Sequence, residues 1–180
     1  MIEITDYNPQ WKNDFDKLKK FYLNNIKGVP LIIEHVGSTS VEELCAKPII
    51  DIVIVHHNMN DFVVIKKCLE NLGYCHRGDL GITNREAFKY QGNILFPKHH
   101  LYVCLDGILA LENQIKFRNY LIKYPQKAKE YGKLKMELAK LHENDINKYC
   151  EAKTNFILNV LRKCEFSEEA LQEIKEMNRI

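Results

Sequence analysis

Trp11, Phe15, Leu18, Phe21 and Tyr22 recur at helical spacing behind Asn8-Pro9, a turn whose proline suits a first helical position. They predict a helix through about residue 25, ended by Gly28 and Pro30. Two strand signals follow, residues 31–36 and 48–55, the first carrying Glu34 and His35 behind Leu31-Ile-Ile33 and the second interrupted only by Asp51. Neither run alternates, so both are expected as strands inside a covered sheet. Asn60 is expected to cap a helix that carries Phe62, Ile65, Leu69 and Leu72 and stops at Gly73. Tyr74-Cys75-His76 predicts a strand entering a polar, Gly-rich loop from Gly78 to Asn84. Paired strands follow, ending in the run from Lys98 to Leu105.

Beyond the Asp106-Gly107 turn the pattern is helical. Leu111, Ile115, Leu121 and Ile122 line one segment, which Pro125 interrupts. Tyr131, Leu134, Leu138 and Leu141 line the next, and Tyr149, Phe156, Ile157, Val160, Leu161 and Cys164 a third. Ser167, before Glu168 and Glu169, is expected to cap a short last helix. This order predicts an α+β fold, a mixed sheet with helical cover and a helical C-terminal lobe. The expected organisation is one domain over residues 1–180, with a sheet-containing core at 1–106 and the lobe at 107–180.

Composition narrows the function classes. Of 180 residues, 46% are apolar and 28% charged, ordinary for a soluble globular domain. A formal charge of +2 provides no broad basic field for gripping nucleic acid, although a local basic pocket stays open. The mixed, acidic start does not read as a secretory leader, and no run approaches the roughly 20 apolar residues of a membrane span. The six cysteines lack the close spacing of a zinc or redox pair, so they are expected as reduced, buried thiols of a cytoplasmic protein.

The chemistry concentrates between residues 34 and 53. Gly37-Ser38 forms a turn at the start of a short helix, where free N–H groups and a hydroxyl suit phosphate. Thr39 and Ser40 would donate to the same anion or cap the helix. Lys47 would neutralise phosphate or sit on the rim. Asp51, inside an apolar strand, needs a partner, either a metal ion or a cation such as Lys47, Arg85 or Arg118. Strand alternation puts His100 with Tyr102 on one face and His99 with Leu101 on the other, so His100 is the candidate base or ligand. His35 reads equally as a core histidine or a site residue, and His56-His57 reads as solvated.

A Gly-Ser turn followed about a dozen residues later by a strand-borne acid resembles nucleotidyltransferases of the polymerase-beta type. In those proteins two acids separated by one apolar residue hold divalent metal ions. Here the second acid is replaced by Val53. The chain also resembles the GrpB-like family. Residues 35–52, from His35-Val-Gly-Ser-Thr-Ser to Ala46-Lys-Pro-Ile-Ile-Asp-Ile, follow the family stretch except at Glu42-Glu43, where Pro-Gly is usual, and at the variable position Cys45. The agreement extends to Tyr7, Pro9, Trp11, Gly73-Tyr74, His99-His-Leu-Tyr-Val103 and Phe117-Arg-Asn-Tyr-Leu121. It continues to Tyr131 with Lys135 and to Tyr149 with Lys153, while Tyr102 stands where a histidine is usual.

The resemblance implies a nucleotidyltransferase-like fold, in a domain also found fused to some dephospho-CoA kinases. Arg118, Lys135 and Lys153, on helices at matching positions, would face a polyanionic ligand or simply be exposed. An enzyme of this kind would move a nucleotidyl group from a nucleoside triphosphate to a small acceptor. Gly37 and Ser38 would hold the phosphates and Asp51 a magnesium ion, while Lys47 and Arg118 neutralised charge and His100 deprotonated the acceptor. The rival is a binding or accessory module for a nucleotide or CoA-like ligand. Val53 favours the rival.

Overall fold

The computed structural model describes residues 2–93 and 95–178. The first helix, α1 (Gln10–Asn25), buries Trp11, Phe15, Leu18 and Tyr22 on one stripe. Strand β1 (Ile32–Val36) leads through a single 3-10 turn (Ser38–Ser40) to β2 (Ile50–His56). Helix α2 (Met59–Asn71), β3 (Tyr74–His76), β4 (Arg85–Tyr90) and β5 (His99–Leu105) complete the sheet-containing part. Four helices follow: α3 (Leu109–Lys123), α4 (Pro125–Leu141), α5 (Ile146–Lys163) and α6 (Glu168–Met177). The architecture is α+β, and β1, the Gly-Ser turn and the acid-bearing β2 follow one another in the order expected from the sequence.

The sheet runs β1-β2-β5-β4-β3. It is mixed, because β2 and β5 pair in parallel while the other neighbours are antiparallel. Alternation along β2 divides its side chains between two cores. Ile50, Ile52 and Ile54 join the main cluster with α1 and α2, whereas Val53 and Val55 pack with Val36, Cys104 and Leu111 of α3 on the other face. A strand buried on both sides has no solvent face to alternate toward, hence its unbroken apolar run.

Several expectations are corrected. β1 is an edge strand, paired only with β2, and its Ile32 is 44% exposed. Asn58, not Asn60, caps α2: its side chain accepts from the Asp61 amide at 3.0 Å, while Asn60 lies inside the first turn. Ile122 points outward from α3, which buries Ala110, Leu111 and Leu121 instead. All six cysteines are free, yet only Cys45 and Cys104 are buried. Ser167 does cap α6, accepting from the Ala170 amide.

A polar chain crosses the main core. The Tyr22 and Tyr74 hydroxyls lie 2.7 Å apart, and the Tyr74 hydroxyl lies 2.7 Å from His99 Nε2. His99 Nδ1 is 2.8 Å from the Pro97 carbonyl, which can only accept, so Nδ1 donates and Nε2 accepts from Tyr74. Tyr74 in turn accepts from Tyr22, and every polar atom of the chain is satisfied. Tyr74→Phe strands the other two groups in an apolar setting. It is expected to lower the unfolding free energy by about 1–3 kcal/mol in urea denaturation, with Cys68→Ala, at a half-buried site outside the chain, as the milder reference.

Candidate functional site

A cavity of about 380 Å³ lies between the α3 face of the sheet and the helical lobe. The Gly-Ser turn and Lys47 form one side of it. Asp51 of β2, Arg85 of β4, and His100 and Tyr102 of β5 reach it from the sheet. The lobe supplies Arg118 from α3, Tyr131 and Lys135 from α4, Tyr149 and Lys153 from α5, and Met177 and Asn178 at the end of α6. Of the ten candidates from the sequence, nine line this space, and only Ser40 does not. Its hydroxyl donates to the Gly37 carbonyl at 2.5 Å and closes the turn.

The turn is shaped by contact with Asp51. Gly37 has φ +72°, and a Cβ placed there would lie 2.2 Å from Asp51 Oδ2. Glycine thus allows both the backbone conformation and the approach of the carboxylate. The helix that the turn opens is three residues long, too short to build a macrodipole, so its contribution to anion binding is limited to local groups. Thr39 is buried and committed internally. Its hydroxyl meets the Ile49 carbonyl at 3.4 Å and His35 Nε2 at 3.0 Å. His35 stacks on Phe15 at 4.5 Å, and burial lowers its pKa to about 4, which makes it a neutral core histidine. Ser38 is the hydroxyl of the turn that lines the cavity without such an internal bond.

Asp51 takes none of the three expected cations as its hydrogen-bonded partner. The parallel register sets it opposite His100, whose Nδ1 lies 2.9 Å from Asp51 Oδ1. Arg118 is drawn elsewhere: it donates to Glu34 Oε2 at 2.6 Å and to the His35 carbonyl at 2.8 Å, tying α3 to β1. Arg85 lies over the Tyr102 ring at 4.8 Å, and its buried Nε has no hydrogen-bond acceptor. Residues 56 and 57 stand away from the cavity, His56 buried against Phe62 and His57 exposed beside Asp106. The expectation that His56 is solvated is therefore corrected.

The donor set does not fit a magnesium clamp. Val53 occupies the place of a second acid on the Asp51 face at 0% exposure, in an apolar cluster. Glu34 shares that face through its register with Val53, but Arg118 holds its carboxylate. Glu86 is on the opposite face with His76, and Asp79 accepts from the Gly81 amide in its own loop. Among the described residues no three His, Cys, Asp or Glu side chains converge as a metal site. Magnesium prefers six oxygens, and one acid already bonded to a histidine falls well short.

The lobe end of the cavity is cationic. Lys135 is 2% exposed and donates to the Cys45 carbonyl; its ammonium lies 4.8 Å from the Tyr131 ring. Burial lowers its pKa to about 7. Lys153, half-buried, lies 4.4 Å from the Tyr149 ring, and burial lowers its pKa as well, with Lys47 adding to the effect on both lysines. Neither forms an ion pair with a carboxylate among the described residues. The two tyrosine walls were not among the sequence candidates. Their signal is the Tyr-x3-Lys spacing repeated in α4 and α5, which stacks ring and ammonium on one helix face. Met177 and Asn178 carried no sequence signal.

Known proteins are similar to this chain in sequence, and one solved structure in fold. The UPF0157 protein YqkA of Bacillus subtilis is 36% identical over 157 residues, which are 87% of this chain but 45% of YqkA. The chain thus spans less than half of that relative. The glutamate-rich protein GrpB of Alkalihalophilus pseudofirmus is 30% identical over 165 residues, covering 90% of this chain and 95% of that protein. The crystal structure of the conserved protein GrpB from Enterococcus faecalis superimposes with a TM-score of 0.77 at 32% identity, over 96% of this chain and 99% of that one. Residues 1–163 match the GrpB protein family, and with these likenesses the chain belongs to it.

Proposed function

We propose that the cavity binds a nucleotide or another phosphate-bearing small molecule. The observation that carries this reading is the pair Lys135, buried, and Lys153, half-buried, neither ion-paired to a carboxylate among the described residues and with only Asp51 across the cavity acting on Lys153, beside Lys47, Arg85 and the Gly37-Ser38 turn. Keeping ammonium groups in an apolar setting is costly, and an anionic ligand offsets that cost by acting as their counter-ion. Tyr131, Tyr149 and Phe117 add apolar wall for the rest of the molecule. The polar donors are few and local, which suits a small ligand more than a nucleic-acid backbone. No helix among the described residues is long and apolar enough to cross a membrane, and a cytoplasmic setting is part of the same reading.

Magnesium-dependent nucleotidyl transfer asks for a second carboxylate that Val53 does not supply, so the reading is of anion binding that proceeds without metal. Isothermal titration with ATP and with tripolyphosphate, each in EDTA and in magnesium, tests it. Binding in EDTA is expected. Lys153→Met should weaken it by about 10- to 100-fold while leaving the thermal midpoint unchanged or raised, because an apolar side chain suits the site better than an unpaired charge. Absence of binding in every condition, or affinity indifferent to Lys153, contradicts the proposal.

The pH dependence has a definite sign. In the free protein Lys135 is protonated below about 7 and neutral above. Affinity for the anion is therefore expected to be fullest below that pH and to decline as pH rises through it. A bound anion favours the ammonium, so binding at about pH 8 should take up protons. Titrations in two buffers of different ionisation enthalpy measure that uptake directly. Lys135→Met should abolish this part of the uptake.

A further inference from the structure

Anion binding alone leaves the Asp51–His100 pair without a role. An ionised carboxylate only accepts, so the 2.9 Å contact places the proton on His100 Nδ1, and in the neutral ring Nε2 then keeps its lone pair. Nε2 has no hydrogen-bond partner among the described residues, and the half-exposed ring lines the cavity. His35 Nε2 meets Thr39 and His99 is bonded through both nitrogens, while His76 meets an acid as His100 does, through Nε2 on Glu86, but outside this cavity. His57 also faces an acid, Asp106 at 3.3 Å, but outside this cavity. It provides a comparison within the same molecule.

Lys47, Arg85 and Lys153 line the cavity beside His100, and the buried Arg85 Nε has no acceptor. Such a field draws an anionic phosphoryl group, rather than a neutral hydroxyl, towards Nε2. We infer that His100 is a nucleophile for phosphoryl transfer from a phosphoanhydride, with Asp51 as its positioning residue and the cavity cations in place of a metal ion. This rests on the reading that phosphate-bearing molecules enter the cavity. In the first step the Nε2 lone pair forms a P–N bond. The bond from phosphorus to the bridging oxygen breaks, and its electron pair leaves on the departing phosphate, whose charge Lys47 and Arg85 meet. The ring, now cationic, keeps its Nδ1 proton against Asp51. An acceptor hydroxyl or water then attacks phosphorus, the P–N pair returns to Nε2, and the acceptor's proton passes to solvent.

Phosphoramidate, a small donor that phosphorylates histidine with release of ammonia, tests the inference without knowledge of the natural substrate. The intact protein is treated in EDTA and the modified peptides are mapped by mass spectrometry. His100 is expected to be labelled about tenfold faster than His57 or more, and Asp51→Asn should slow His100 by roughly tenfold with the thermal midpoint little changed. His57→Gln should leave the His100 rate unaltered, and His100→Gln should remove the fast label. Labelling of His100 no faster than His57, labelling only with magnesium, or a rate indifferent to Asp51→Asn overturns the inference. ATP titration separates the two readings. Fast labelling without ATP binding overturns the phosphate-ligand reading alone, and ATP binding with slow labelling overturns the nucleophile alone.

Discussion

The parallel pairing of β2 with β5 is the constraint on which the rest of the molecule depends. Its register sets Ile52 against Leu101 on the α1 side, and Asp51 against His100 on the α3 side. Because side chains alternate, slipping this pairing by one residue would turn the three isoleucines of β2 towards the cavity and push the acid into the main core. The apolar demand of two separate cores therefore enforces the meeting of one carboxylate with one imidazole. Hydrophobic burial supplies the precision, and the polar pair inherits it.

Charge is distributed unevenly around that axis. On the β1 side Arg118 and Glu34 satisfy each other and fasten α3 to the edge strand. On the lobe side Lys135 and Lys153 have aromatic rings and a carbonyl for company but no ion-paired acid among the described residues. Rings and carbonyls recover part of the solvation an ammonium loses, which is consistent with a Lys135 pKa displaced to about 7. The proposed anion binding rests on this uneven distribution, in which the acid of one side is spent on Arg118 and the lysines of the other have none within ion-pair distance among the described residues.

Much of this was legible in the residues, for physical reasons. The apolar run around Asp51 marks a central strand, and alternation from Leu101 separates His100 from His99. The run from Leu31 to Val36 looks alike but belongs to an edge, because the cover of its outer side depends on what does not pair with it. The partner of Asp51 was hidden for a related reason: three cations were plausible by charge, and only the strand register selects a histidine instead. Asn58 and Asn60 are equally good caps by type, and the difference lies in which has extended backbone. The Tyr-x3-Lys repeat was readable in α4 and α5. That both repeats face one chamber follows from helix packing, which spacing does not encode.

The cavity walls come from distant parts of the chain, from Gly37 at one side to Asn178 at the other. Lys135 reaches across to the carbonyl of Cys45, ninety positions away in the chain. During synthesis the Gly-Ser turn and the Asp51–His100 face emerge well before α5 and α6 exist to enclose them. At that stage Lys47 and Arg85 of the wall have been made, and Lys135 and Lys153 have not. The wall is complete only when α4, α5 and α6 pack on the sheet-containing part, so a substitution that undocks them takes Tyr131, Lys135, Tyr149, Lys153 and Met177 from the cavity together.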